Sequence, residues 1–119
     1  MKQRKQVVYF VRSGELIKIG ITSDHRGRIN ALKAANASPV SELGVIEGGS
    51  DLEQSLHERF GYCHSHGEWF FATPELLAYI QDTAVPYKEG MGKTETITRD
   101  YGYAGLTLPQ MLVAGLLVT

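Results

Sequence analysis

The segment "LIKIGIT", residues 16–22, alternates strictly on a two-residue period, and only "SGE" separates it from the β-branched and aromatic run "QVVYFVR" at 6–12. Two strands joined so tightly are expected to pair as an antiparallel hairpin. In the second strand Ile17, Ile19 and Ile21 share one face, which can serve a core. The other face holds Leu16, Lys18, Gly20 and Thr22. A lysine beside a glycine is an odd choice in the most strand-like part of the chain, because a cation is costly and a bare backbone position packs nothing. Tyr9, on the first strand, is expected to turn its phenol toward the same side as Lys18.

Beyond the hairpin the pattern changes period. Ser23 or Asp24 can cap a helix over about 25–36, in which Ile29, Leu32 and Lys33 fall on helical spacing. Gly27 weakens its first turn, and Pro39 stops its continuation. "VSELGVIEG" reads as a third strand closed by Gly48 and Gly49. "SDLEQSLHERF" is the clearest helix: Ser50 and Glu53 spell a capping box, and Leu52, Leu56 and Phe60 recur every fourth residue. "GYCHSHG" reads as a loop and "EWFF" as a short extended segment. Thr73, Pro74 and Glu75 then mark another helix start, with Leu76, Leu77 and Ile80 on its apolar face. The expected fold is α+β, a small three-stranded antiparallel sheet flanked by helices, over residues 6–82. Residues 83–119 form a weakly patterned extension. Its apolar end, "LTLPQMLVAGLLVT", is expected to dock on the body, on a second copy in a homodimer or on another protein, or else to form a poorly ordered tail.

A chain of 119 residues suits one compact domain, and 43% hydrophobic with 21% charged residues is ordinary globular composition. Cys63 has no partner for an internal disulfide, which favours a reducing, cytoplasmic setting. No run is apolar for long enough to span a bilayer or to serve as a secretory leader. The formal net charge of −1 predicts no polyanion partner, but the distribution is uneven. Residues 1–33 carry eight Lys/Arg against two acids, and residues 34–80 carry seven acids against Arg59. That asymmetry suits an anionic ligand facing a bound cation.

Four residue types with complementary chemistry fall on these elements. Tyr9 and Lys18 lie on the hairpin, Arg28 on the first helix and Glu53 on the second. A carboxylate can hold a hard divalent cation, an arginine can fork onto phosphate oxygens, and a glycine lets a backbone pass close to a substrate. Together they suit a phosphodiester. His57, four residues after Glu53, shares its helix face and can orient Glu53 or a water.

On these residues the chain resembles the GIY-YIG nucleases, over about residues 6–82. Val7, Val8 and Tyr9 stand where that family has Gly-Ile-Tyr, and Lys18, Ile19 and Gly20 where it has Tyr-Ile-Gly. Arg28 follows Gly20 at the spacing of the family's helix arginine. Glu53 in "LEQSLHERF" matches its metal-binding glutamate. The string through "GEWF" looks most like a phage-associated branch with lysine in place of the second tyrosine, whose domains are described as DNA-binding or nuclease modules. The resemblance implies a DNA endonuclease using Mg²⁺ or Mn²⁺. In it Glu53 holds the metal, Tyr9 is the general base, Arg28 stabilises the pentacoordinate phosphorus, and Lys18 and the metal supply the positive charge that a phenolate needs. Gly20, Arg26 and Lys33 would bind substrate, with His57 and Glu68 as second-rank site residues. No asparagine follows the second helix where many members have one.

Other readings use the same letters. After the endonuclease, the second reading is a DNA-binding module with little or no cleavage, and the third an interaction domain whose apolar C-terminus makes a dimer contact. His57, Cys63, His64 and His66 offer nitrogen and sulfur ligands for zinc, although their spacing is not that of a paired motif. Nothing marks an electropositive setting for a nucleophilic Cys63. Trp69 and Phe70 can stack on bases or simply pack.

Overall fold

The computed structural model describes residues 5–94. At its centre is the expected hairpin. Strands β1 (Lys5–Ser13) and β2 (Leu16–Thr22) pair antiparallel, with Tyr9 opposite Gly20 and Val11 opposite Lys18. Residues opposite one another point to the same face, so Tyr9, Gly20 and Lys18 do share a side. The chain turns at Gly14, whose φ of +62° suits a residue without Cβ.

Helix α1 (His25–Ala35) is capped by Asp24, whose carboxylate accepts from the Gly27 N–H at 3.1 Å. A Cβ on Gly27 would collide with that carboxylate, so the glycine that costs helix propensity keeps the cap closed. Strand β3 (Ser41–Glu47) pairs with the other edge of β1, slipping one residue between Phe10 and Val11. Helix α2 (Ser50–Arg59) begins at Ser50 with Gly49 as its cap. Glu53 is therefore the fourth helical residue, one too far for the expected capping box, and its carboxyl meets Glu68 instead.

A short 3₁₀ turn (Gly61–Cys63) leads into β4 (His64–His66) and β5 (Trp69–Phe71), a tight hairpin turned at Gly67, where φ is +55°. Helix α3 (Pro74–Thr83) starts as expected, with Thr73 Oγ1 accepting from the Leu76 N–H at 3.2 Å. Strand β5 pairs with β2, giving the sheet order β3-β1-β2-β5-β4; β6 (Lys93–Thr94) pairs with the start of β1. The three-stranded expectation is thus corrected to five strands plus β6. The "GYCHSHG" segment is a turn and a strand rather than a loop, and three-residue strands are too short to display alternation.

Two clusters of buried side chains cover the two faces of the sheet. Val8, Phe10, Ile17 and Ile19 pack with Leu56 of α2, Phe60, Cys63, Phe70, and Leu76 and Ile80 of α3. Val7, Tyr9, Val11 and Val45 pack with Ile29 of α1. Each such side chain is worth about 1.5–3 kcal/mol of burial. Strand β2 is therefore interior, and Lys18 does not lie on the wet face of an edge hairpin.

The chain after α3 returns to this body. Val85 exchanges hydrogen bonds with Val45 at 2.8 and 2.9 Å, Tyr87 stacks on His25 with ring centroids 4.4 Å apart, and Met91 packs against the Tyr9 cluster. The apolar "LTLPQMLVAGLLVT" and the docking expected of it lie outside the described residues.

Candidate active site

Tyr9 is fully buried, and its phenol lies across the backbone at Gly20. A Cβ at Gly20 would stand 2.5 Å from Tyr9 Oη and 2.6 Å from Cζ. The glycine is there because the tyrosine ring occupies the space a side chain would take. From α1, Arg28 Nη1 donates to Tyr9 Oη at 3.3 Å, with its guanidinium carbon 6.0 Å from the ring centroid. Burial pushes the phenol above its ordinary range, and the Arg28 hydrogen bond and charge pull partly against it. The side-chain cation on the phenol is thus Arg28, not Lys18, which with a metal is the charge the sequence leads one to expect there.

Lys18 serves the acids. Its Nζ lies 3.1 Å from Glu68 Oε1 and 5.5 Å from the centroid of the Trp69 ring. Glu68 comes from the turn before β5, and the pairing of Lys18 with Trp69 brings it there. It also faces Glu53 from α2, with donor atoms of the two carboxyls within 4.8 Å of one another. Burial first, then this second carboxyl, hold Glu53 above the usual carboxylate range, against the pull of His57 and Lys18.

The position of α2 explains how Glu53 reaches the Tyr9 side of the sheet. Strand β5 covers only Leu16 to Lys18 of β2. The next residue, Ile19, donates its N–H to the Glu68 carbonyl at 3.0 Å, and its own carbonyl accepts from His57 Nε2 at 2.9 Å. A carbonyl only accepts, so the His57 proton sits on Nε2. Helix α2 is in this way pinned to the edge of β2, and Tyr9 feels the charges of both Glu53 and Glu68.

The structure brings Tyr9, Lys18, Gly20, Arg28, Glu53, His57 and Glu68 together. It does not bring Arg26 and Lys33 with them. Those two line a groove between α1 and β3 with His25, Asn30 and Glu42, and exposed Arg26 pairs with Glu89 at 3.7 Å. The alternative zinc set is not assembled either. Cys63 Sγ donates to the Phe60 carbonyl, His64 Nε2 donates to the Gly67 carbonyl, and His66 Nδ1 bonds Ser65 Oγ. Sequence reasoning missed the links from Glu68 to both Lys18 and Glu53. The one local signal was an acid flanked by glycine and aromatics in "GEWF".

Among the described residues, the group able to hold a metal is Glu53, His57 and Glu68. The residues fit a divalent cation on one observation above others: Glu53 Oε2 is shut off from solvent and has no hydrogen-bond partner. A small α+β domain thus sets an acid pair with an idle oxygen on the same side of its sheet as a buried phenol held by a guanidinium.

The T5orf172 domain matches residues 6–83, and the chain belongs to that family. It is a phage-associated domain related to GIY-YIG- and HNH-like nucleases, which points to a nuclease or DNA-binding role. No curated protein and no solved structure matches the chain. No helix among the described residues is long and apolar enough to cross a membrane.

Proposed function

We propose that this protein is a metal-dependent endonuclease of the GIY-YIG type that hydrolyses DNA phosphodiester bonds. The observation that carries the reading is the meeting of the Tyr9–Arg28 pair with the Glu53–Glu68 pair on one side of the sheet. Glu53 would hold Mg²⁺ or Mn²⁺, which when bound supplies Lewis-acid polarisation of the phosphate and charge for the leaving oxygen.

The chain's own groups do the rest. Tyr9, as phenolate, takes a proton from the attacking water. The water oxygen bonds to phosphorus, and the bond to the leaving oxygen breaks. Arg28 sits on the phenol and reaches the same oxygens, so it can neutralise the charge that grows on the pentacoordinate phosphorus. Lys18 adds positive charge at the acidic end of the cleft. Gly20 leaves the strand low enough for the Tyr9 ring to form the floor.

Nicking of supercoiled plasmid tests this. Activity should require Mg²⁺ or Mn²⁺, and Tyr9→Phe, Arg28→Ala and Glu53→Gln should each lower it by about 10²–10³-fold. A second reading, a DNA-binding module with little cleavage, is favoured by the burial that keeps Tyr9 a neutral phenol. It predicts DNA binding that persists without metal and no nicking at high protein concentration.

A further inference from the structure

On the acidic side of the site one buried oxygen stands without a hydrogen-bond partner. Glu68 has the Lys18 ammonium, and His57 has the Ile19 carbonyl. Glu53 Oε2 has nothing within hydrogen-bond reach, although His57 Nε2 stands 3.9 Å away. Two carboxyls in contact require a shared proton or a cation between them, and here a lysine reaches only one of the two.

The donor atoms of Glu53, His57 and Glu68 all lie within 4.8 Å of one another. They come from two separate elements, α2 and the turn into β5, so no single local motif assembles them. Each is half-buried, and the Phe70 ring lies against His57, with centroids 4.9 Å apart. The set is two oxygen donors and one imidazole. Mg²⁺ favours all-oxygen surroundings and keeps most of its waters, whereas an imidazole suits first-row transition ions.

We infer that Glu53, His57 and Glu68 form a three-donor site for a transition-metal ion of the Mn²⁺ class, and that the ion displaces the Lys18 ammonium from Glu68. This rests on the proposed reading of the cleft as a divalent-cation site and goes beyond a single metal-holding glutamate. Lys18 occupies the place of the ion's charge in the metal-free protein. A nitrogen that ligates no longer donates, so His57 exchanges the Ile19 carbonyl for the ion. The released Lys18 faces the Tyr9 side of the sheet, where the phosphate would lie.

The test needs no DNA. Chelator-treated full-length protein is titrated with MnCl₂ while free Mn²⁺ is followed by its paramagnetic resonance signal, with MgCl₂ as competitor. One Mn²⁺ per chain is expected, bound at least about tenfold more tightly than Mg²⁺. Glu68→Gln and His57→Gln should each weaken Mn²⁺ by about tenfold or more. The glutamine at 57 keeps a donor for the Ile19 carbonyl, so its loss of affinity reports the imidazole. Lys18→Met should tighten Mn²⁺ several-fold.

Equal affinity for the two ions, or unchanged Mn²⁺ affinity in either variant that melts like the parent, overturns the site. Weaker Mn²⁺ binding in Lys18→Met overturns the displacement. If His57→Gln does not fold, Glu68→Gln and the ion preference of the parent decide. Intact three-donor binding without plasmid nicking counts against the nuclease reading alone. Mg²⁺-supported nicking with Mn²⁺ affinity unaltered in the variants counts against this site alone.

Discussion

Tyr9 is the residue on which the chemistry turns, and its surroundings set a pH signature. Burial raises its pKa above the ordinary phenol value of 10.0, despite Arg28. At neutral pH the phenolate is then a minor species whose population grows tenfold per pH unit. If phenolate is the base, kcat/KM at saturating metal should climb with a slope of about one in log units from pH 7 to 9, and Tyr9→Phe should flatten the residual rate. A flat profile in the parent would leave Tyr9 as an orienting donor. Gly20 makes a sharper test of geometry than of charge. Alanine there places a methyl carbon on the phenol, and overpacking of this kind costs about 1–3 kcal/mol. Gly20→Ala should lower the melting temperature and nicking together, whereas Tyr9→Phe should spare the melt. Glu53 gives a prediction of opposite sign. Its carboxyl is raised on folding, so the stability it contributes is present at low pH and is lost as pH rises through that raised value. In metal-free protein Glu53→Gln should therefore melt a few degrees higher at pH 7, with the gap closing below about pH 4.

The helices carry the site's precision, and α1 depends on its cap. Asp24→Ala should cost about 1 kcal/mol, and because α1 holds Arg28 over Tyr9, nicking should fall further than the melt alone accounts for. The elements also divide by how readable they were. The hairpin was legible because nine- and seven-residue strands leave room for a period to repeat. The starts of α1 and α3 were legible because Asp24 and Thr73 announce themselves chemically. The hairpin of β4 and β5 was not, since three residues hold no period and Gly67 alone marks the turn. Ser50 and Glu53 misled, because the box spelling fits a helix starting one residue later than α2 does. The same division runs through the site. Tyr9, Lys18 and Gly20 stood out by strand alternation, whereas Arg28 and Glu53 were singled out by the resemblance to the GIY-YIG nucleases. The acid partner of Lys18 could not be foreseen, because it depends on how β5 lies against β2, a pairing no local pattern encodes.

Across the whole molecule, basic residues from the first third of the chain serve different surfaces. Arg28 and Lys18 belong to the Tyr9 side of the sheet, while Arg26 and Lys33 flank the groove between α1 and β3. If DNA runs over both, binding should weaken with salt, with a log–log slope of about −3 to −4. The double variant Arg26→Ala, Lys33→Ala should then reduce that slope by about 2 and leave the metal requirement for nicking intact. An unchanged slope would confine the nucleic acid to the Tyr9 side. The two acids of the site ride on segments that both grip the backbone of Ile19, whose N–H is held by the Glu68 carbonyl and whose carbonyl is held by His57. The deuterium uptake of that one amide should therefore act as a built-in gauge of whether the aromatic hairpin is seated. Its neighbours, locked to β1, would exchange only when the sheet itself opens.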